Sequence, residues 1–203
     1  MPDPDSGPSA RVTETPVPPE LLTRSRVVRI LQNVLRIPRK GFARFVELIP
    51  TQLNLSWITD TLAAGGSFRT ADIGQLRQMG VSAVVDCREE ASDDEAALSR
   101  HGIELLRLPA PDAHEISQEM LDRGVDWVRE RMAKGQKVYV HCHHGVGRGP
   151  LLGCCVLVAD GMTPVAALNL MRTRRWQASP NEEQLTALHR WAERHKDRGG
   201  QAS

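Results

Sequence analysis

Aromatic side chains are scarce in this chain, with one Tyr, three Phe and four Trp among 203 residues. A surface that binds nucleic acid by stacking bases has little to work with, so nucleic acid is not an expected partner. Charge of one sign is lacking too. Lys and Arg number 26 against 25 Asp and Glu, a net +1, which excludes a molecule that holds polyanions by its overall charge. There are four cysteines, Cys87, Cys142, Cys154 and Cys155, irregularly spaced and two of them adjacent. They make a poor disulfide framework and point to a reducing, cytoplasmic setting. Long apolar runs are missing as well. The longest, Leu151–Ala159, is far too short to span a bilayer. Residues 1–20 hold six prolines among Asp, Ser and Thr, with no apolar centre of a signal peptide. The expected protein is soluble or peripheral to a membrane.

What is present divides the chain into four parts. Residues 1–20 cannot bury a core and are expected to be a disordered tail. Residues 21–50 change character. Val27, Val28, Leu31, Val34 and Leu35 recur at helical spacing, Arg26, Arg29, Asn33 and Arg36 line another face, and Pro38 ends the helix. A shorter stripe, Phe42, Phe45, Val46 and Ile49, follows. Residues 1–50 carry eight Arg/Lys against five Asp/Glu, so any basic contact with a surface is local to this end. The amphipathic extension reads two ways: packed on the following domain as an extra helical layer, the commoner fate, or laid on an anionic membrane through residues 21–49. Residues 51–198 are the expected catalytic domain, and residues 199–203 a second disordered tail.

Strand and helix alternate after Pro50. The pattern predicts an extended Leu55–Ala63 closing at Gly65 and Gly66, and a helix from Thr70, a plausible N-cap, to Gly80. A buried strand at Val81–Cys87 precedes an acidic helical segment over Glu89–His101. A strand at Ile103–Leu108, a loop at Pro109–Glu115 and a helix over Ser117–Ala133 come next. Lys137–His141 is a strand, and helices are expected over Gly149–Asp160, Thr163–Arg174 and Asn181–Asp197. Such alternation implies an α/β domain of three layers, a central, mainly parallel sheet of four or five strands with helices on both faces.

The segment Val138–Arg148 carries the chemistry. A buried strand delivers Cys142 into the short loop His143-His144-Gly145-Val146-Gly147, and a helix starts at once. Glycines let the backbone curl so that successive N–H groups converge on one anion, and the helix adds its own unsatisfied amides. A thiol in that setting is stabilised as the thiolate, the nucleophilic form. Five residues separate Cys142 from Arg148, which can fold back and grip two phosphate oxygens with its planar fork. His141 to His144 does not read as a metal site, because four consecutive side chains point in different directions. His141 is expected to support the loop from behind, and His143 and His144 to face substrate or solvent.

Cys-x5-Arg after a strand, preceded by His141, resembles the signature of the cysteine-dependent protein tyrosine phosphatases, and the shortness of the domain resembles their dual-specificity branch. The likeness runs over about residues 55–195. It takes in Ile58–Gly66, Val84–Glu90 (Val-Val-Asp-Cys-Arg-Glu-Glu), Arg107–Ile116 (Arg-Leu-Pro-Ala-Pro-Asp-Ala-His-Glu-Ile) and Ser179-Pro180-Asn181. The resemblance implies metal- and cofactor-independent phosphomonoester hydrolysis through a phosphocysteine on Cys142. The phosphate would be bound by Arg148 and the backbone of 143–148, with Asp112 as the acid and then the base. Glu115 is the nearest rival to Asp112. The implied partner is a phosphorylated protein or another phosphomonoester, a lipid phosphate included. The loop has no lysine of the kind that suits a highly phosphorylated inositol. Some members of the family pair a cysteine at the position of Cys87 with the nucleophile under oxidation, which implies a reversible Cys87–Cys142 disulfide; otherwise Cys87, like Cys154 and Cys155, is a core residue. The family usually has Ser or Thr after the arginine, to help the cysteine leave the phosphoenzyme, and here Gly149 stands instead. That departure implies slow breakdown of the intermediate, and it keeps open a phosphate-binding pseudophosphatase with little turnover.

Overall fold

The computed structural model describes residues 52–199, with side chains through His195. The expected tail 1–20, the extension 21–50 and residues 200–203 lie outside the described residues. Among those described, no helix is long and apolar enough to cross a membrane.

Five strands form one sheet. They are β1 (Leu55–Trp57), β2 (Leu62–Gly65), β3 (Val81–Arg88), β4 (Glu104–Ala110) and β5 (Lys137–His141), in the order β1-β2-β5-β3-β4. β1 pairs antiparallel with β2; β2 with β5, β5 with β3 and β3 with β4 are all parallel. Side chains alternate between two cores, as the pleat requires. Leu62 and Ala64, Val85 and Cys87, and Val138 and Val140 enter one core, whereas Ala63, Val84 and Tyr139 enter the other. The smaller core is closed by α1 (Ile73–Gln78) and α2 (Glu95–Arg100) through Ile73, Leu76, Ala97 and Leu98. The larger is closed by α3 (Gln118–Ala133), α4 (Arg148–Ala159), α5 (Pro164–Arg174) and α6 (Glu182–Gly199). α4 is apolar on nearly every face and is accordingly buried among its neighbours. The three-layer α/β architecture with a mainly parallel sheet is therefore the one the sequence implies.

Three local expectations need correction. The extended Leu55–Ala63 is broken into β1 and β2 by a turn. The Thr59 hydroxyl accepts the N–H groups of Thr61 and Leu62, at 3.3 and 3.0 Å, and turns the chain back on itself. Thr70 is not the cap of its helix. It opens a single 3-10 turn, where the Asp72 carboxylate accepts the Arg69 N–H at 3.2 Å and receives its guanidinium. Glu89–His101 is helical only over Glu95–Arg100, because the Asp94 carboxylate accepts the Ala97 N–H at 2.8 Å and starts the helix there. The six residues before it form a loop with other work to do.

α6 fastens the back of the large core. Trp191, fully buried, stacks on His195 and donates its indole N–H to Asp122 on α3 at 2.8 Å. Trp191→Ala is expected to cost ~3–5 kcal/mol of stability, the usual loss for emptying a buried aromatic site, measured by urea unfolding.

Candidate active site

β5 occupies an interior place in the sheet between β2 and β3, where connections run off in opposite directions, and ligands bind outside the carboxyl ends of such strands. Its last residue is His141, and the turn from Cys142 to Gly147 leads straight into α4. The backbone of this turn is oriented from outside. Ser67 N–H and its hydroxyl donate to the His143 carbonyl at 2.9 and 3.2 Å. Asn54 Nδ2 and Arg175 donate to that of His144 at 3.2 and 3.1 Å, Arg175 Nε to that of Gly145 at 2.7 Å, and Ser179 N–H to that of Val146 at 2.9 Å. Gly147 O accepts from Leu151 in the first turn of α4. With the carbonyls drawn outward, the N–H groups of 143–147 have no acceptor among the described residues. Gly145 makes the curl possible. Its φ is +70°, and a Cβ there would lie 2.2 Å from the Gly65 backbone. Cys142 lies at the bottom, 3% exposed, while His143 and His144 are exposed at the rim with their rings edge to face at 4.2 Å.

Arg148 folds back as a buried side chain. One nitrogen donates to Glu90 Oε2 at 2.8 Å and to the Ala110 carbonyl at 2.7 Å; the other donates to Glu90 Oε1 and to Asp112 Oδ1, both at 2.7 Å. Its Nε is buried and has no partner among the described residues. Burial works against its charge, but the Glu90 carboxylate and the Cys142 and Asp112 charges outweigh it and hold the guanidinium protonated more firmly than usual. The hydrogen bonds from Arg148 hold the Glu90 carboxyl down at about 2.

Asp112 is 68% exposed on its loop, with its carboxylate on Arg148. Ala113, the only non-glycine residue with positive φ among those described, follows it, and this conformation is held by α6 and the residue before it. Asn181 Nδ2 donates to the Ala113 carbonyl at 2.6 Å and Gln184 Nε2 to that of His114 at 2.9 Å. Glu115 is turned elsewhere. Its N–H donates to Glu183 and its carboxylate faces Arg190, 3.5 Å away. Of the two acidic candidates, only Asp112 is brought to Arg148.

Behind the cysteine, His141 Nε2 meets Asp93 Oδ2 at 2.7 Å, and its ring stacks on Tyr139. Asp86, Asp93 and His141 present ligand atoms within 4.8 Å of one another, a spacing that suits a metal ion. A cation already sits there, because Arg88 donates to Asp86 at 2.8 Å and to Asp93 at 2.6 Å. The register Asp86↔His141 sets Cys87 beside Cys142, buried, and burial first and the Cys142 charge second push its thiol well up. Gly149 presses on the end of β5, where a Cβ would come 3.2 Å from His141 Cα.

Glu90, Asp93 and Arg175 escape the sequence reading. Glu90 and Asp93 lie in a stretch read as a surface helix. Arg175 follows Arg172 and Arg174 with nothing local to mark it as the buried one.

Residues 66–194 match the family model of the dual specificity phosphatase catalytic domain. Dual specificity protein phosphatase 12 of Mus musculus is 32% identical over 123 residues, 60% of this chain and 36% of that protein. Protein tyrosine phosphatase type IVA 3 of Homo sapiens is 29% identical over 121 residues, 59% of this chain and 69% of that protein. The chain thus spans about a third of the first relative's length and about two thirds of the second's. Among solved structures, Tk-PTP in its active form superposes with a TM-score of 0.66 at 27% identity, over 71% of this chain and 99% of that one. PTPMT1 shares the fold, with a TM-score of 0.68 at 23% identity over 72% and 99%.

Because its folded-state carboxyl is held low, Glu90 contributes its ion pair fully above the ordinary carboxyl range and loses it as pH falls towards about 2. The stability gap between wild type and Glu90→Gln is expected to be constant from pH 6 to 8 and to shrink steadily below about pH 4, followed by urea unfolding at each pH.

Proposed function

The chain belongs to the dual specificity phosphatase family, and from that premise we propose that it hydrolyses phosphomonoesters through a phosphocysteine on Cys142. One observation carries the reading: the N–H groups of 143–147 are left without acceptors above a buried cysteine, beside an arginine whose Nε is also unpaired. Converging donors of this kind suit the three oxygens of a phosphoryl group.

The phosphate enters with two oxygens on Arg148, at Nε and at the nitrogen that Asp112 now occupies. Asp112, exposed and free to move, leaves Arg148, takes up a proton from solvent and shifts to the ester oxygen. Cys142 attacks phosphorus as the thiolate, the phosphorus–oxygen bond of the ester breaks, and Asp112 gives its proton to the departing alcohol. Water then attacks the phosphocysteine and Asp112 takes its proton. The sulfur–phosphorus bond breaks, releasing inorganic phosphate and the thiolate. Glu90 and the Ala110 carbonyl keep Arg148 in place throughout, and His141 steadies the loop from beneath. No metal or organic cofactor takes part.

A phosphorylated protein is the substrate class we favour, given the protein phosphatases among the relatives. A lipid phosphate is the alternative if residues 21–49 bind membranes. We place the activity in a reducing, cytoplasmic compartment, with a reversible Cys87–Cys142 disulfide protecting the nucleophile under oxidation. The pairing is supported by the register Asp86↔His141, one residue before each cysteine, and by the Cys142 charge felt at Cys87. Gly149 supports slow breakdown of the phosphoenzyme, since no hydroxyl follows the arginine.

Turnover of a small aryl phosphate is expected to persist in excess chelator, to vanish in Cys142→Ser and to fall roughly 10²–10⁴-fold in Asp112→Asn. Absence of turnover in the wild type, with phosphate still bound, would identify a pseudophosphatase. Rapid-quench kinetics should show a burst of released alcohol equivalent to the enzyme, as expected when the second step is slow. Linear release from the first turnover would refute the role given to Gly149.

A further inference from the structure

We infer that Asp93 is a positioning residue for the phosphate loop and acts through His141. It lies in the loop of residues 89–94, which carries two carboxylates that grip the catalytic turn at both ends. Glu90 holds Arg148, where the turn closes, and Asp93 holds His141, the residue before Cys142, where it opens.

The His141 end is buried and fully determined. Its side chain is 0% exposed and that of Asp93 3%. A carboxylate oxygen 2.7 Å away can only accept, so Nε2 is the nitrogen that donates, and the ring orientation is fixed. Tyr139 stacks on the ring with centroids 5.4 Å apart and Phe68 meets its edge at 5.2 Å. In that orientation Nδ1 stands 3.3 Å from the Cys142 carbonyl, the first carbonyl of the turn. Asp93 is held in its own place by two contacts, and its loop by a third residue. Arg88 donates to its Oδ1 at 2.6 Å, its N–H donates to Asp86 at 3.2 Å, and Arg107 donates to the carbonyls of Arg88 and Ala91, both at 3.0 Å.

Stability alone does not account for this arrangement. Burying two carboxylates and a guanidinium costs desolvation that their attraction at best offsets, and apolar side chains of similar volume commonly serve stability as well or better. What apolar groups cannot do is fix an imidazole in one orientation, with its Nε2–H committed to a carboxylate. The chain Asp86, Arg88, Asp93, His141 therefore sets the entry of the backbone into the phosphate-binding turn. It does so before any phosphate arrives, so binding need not pay for ordering the loop.

The inference shares its site with the proposed phosphatase activity, so its test has one arm that does not need turnover. Orthovanadate affinity reads the preformed loop directly, and kcat/KM for an aryl phosphate reads it through catalysis. Asp93→Ala is expected to weaken vanadate binding and lower kcat/KM by roughly 10- to 100-fold at a temperature where thermal melts show the variant folded. His141→Ala should show a similar loss, and the double variant Asp93→Ala/His141→Ala should be no worse than the weaker single variant, within about two-fold. Additive losses would show Asp93 acting independently of His141 and overturn the inference, as would wild-type vanadate affinity in Asp93→Ala. Should Asp93→Ala fail to fold, Asp93→Asn keeps the volume and decides the matter. A several-fold loss of vanadate affinity supports the inference and an unchanged affinity overturns it. A wild type that binds vanadate without turning over substrate refutes the phosphatase reading while leaving the vanadate comparison to judge Asp93.

Discussion

The orientation of five consecutive peptide groups, from residue 143 to residue 147, is the constraint on which the remaining structure depends. A peptide group cannot offer its N–H inward without sending its carbonyl outward, and a buried carbonyl without a donor costs ~1–3 kcal/mol. Each carbonyl is therefore met from a different part of the chain. Ser67 and Asn54 come from the two ends of the β1–β2 hairpin, Arg175 from the end of α5, Ser179 from the connection into α6, and Leu151 from α4 itself. Seen this way, the hairpin, α5 and α6 are one mould for a single turn, although their residues are scattered over more than a hundred positions. Buried Arg175 is the costliest part of that mould, since burial pulls its guanidinium down from the usual arginine value. The expense is consistent with what it secures, because its planar fork reaches two adjacent carbonyls and the Asn54 side chain at once.

The second consequence is electrostatic. A guanidinium buried to meet a dianion needs partners of its own. Arg148 is neutralised by Glu90 and Asp112, and the two acids differ in how firmly they are fixed. Glu90 takes both terminal nitrogens, a geometry that matches the guanidinium fork. Asp112 takes one, from a largely exposed position. In the proposed mechanism an arriving phosphate displaces the weaker carboxylate, and the displaced group is the one that serves the leaving oxygen, while the firmer partner only positions.

The layers of the fold were legible because their signals are local: the short apolar runs of β3 and β5, and helix starts at Ser117 and Thr163, whose hydroxyls accept the Met120 and Ala166 amides. Cys142 and Arg148 were legible because strand, glycines and helix start are contiguous. Glu90 and Asp93 were not. Their stretch, Glu-Glu-Ala-Ser-Asp-Asp-Glu, has the composition of an exposed acidic helix, and what prevents the helix is long-range demand from Arg148 and His141. Arg175 was hidden for a similar reason. Three arginines within four residues look alike in sequence, and only the bend at the end of α5, where Arg175 leaves helical geometry, sends one of them inward. The break between β1 and β2 is closed by the Thr59 hydroxyl and by the Leu62 carbonyl, which accepts the Ile58 and Thr59 N–H groups at 2.8 and 3.1 Å, and one threonine is too small a signal to read against an otherwise strand-like run.

Gly145 and Gly149 stand four residues apart and read alike in sequence, yet they answer different constraints. Gly145 is fixed twice over, by a left-handed φ and by the Gly65 backbone, so no side chain can replace it without moving the hairpin. Gly149 lies within α4, and its constraint is distance alone, with His141 Cα 3.2 Å and the Cys142 nitrogen 3.4 Å from where a Cβ would sit. A serine there would have to push the first turn of α4 away from the end of β5 by a few tenths of an ångström. The positive end of a helix acts over short range, so close approach strengthens its hold on an anion at the cysteine. A hydroxyl at 149 would instead offer one directed hydrogen bond to the departing sulfur. The two devices compete for the same space, and this chain has taken the closer helix. Gly149 thus exchanges a directed hydrogen bond for a closer helix end, and that exchange is the physical ground for the slow second step proposed above.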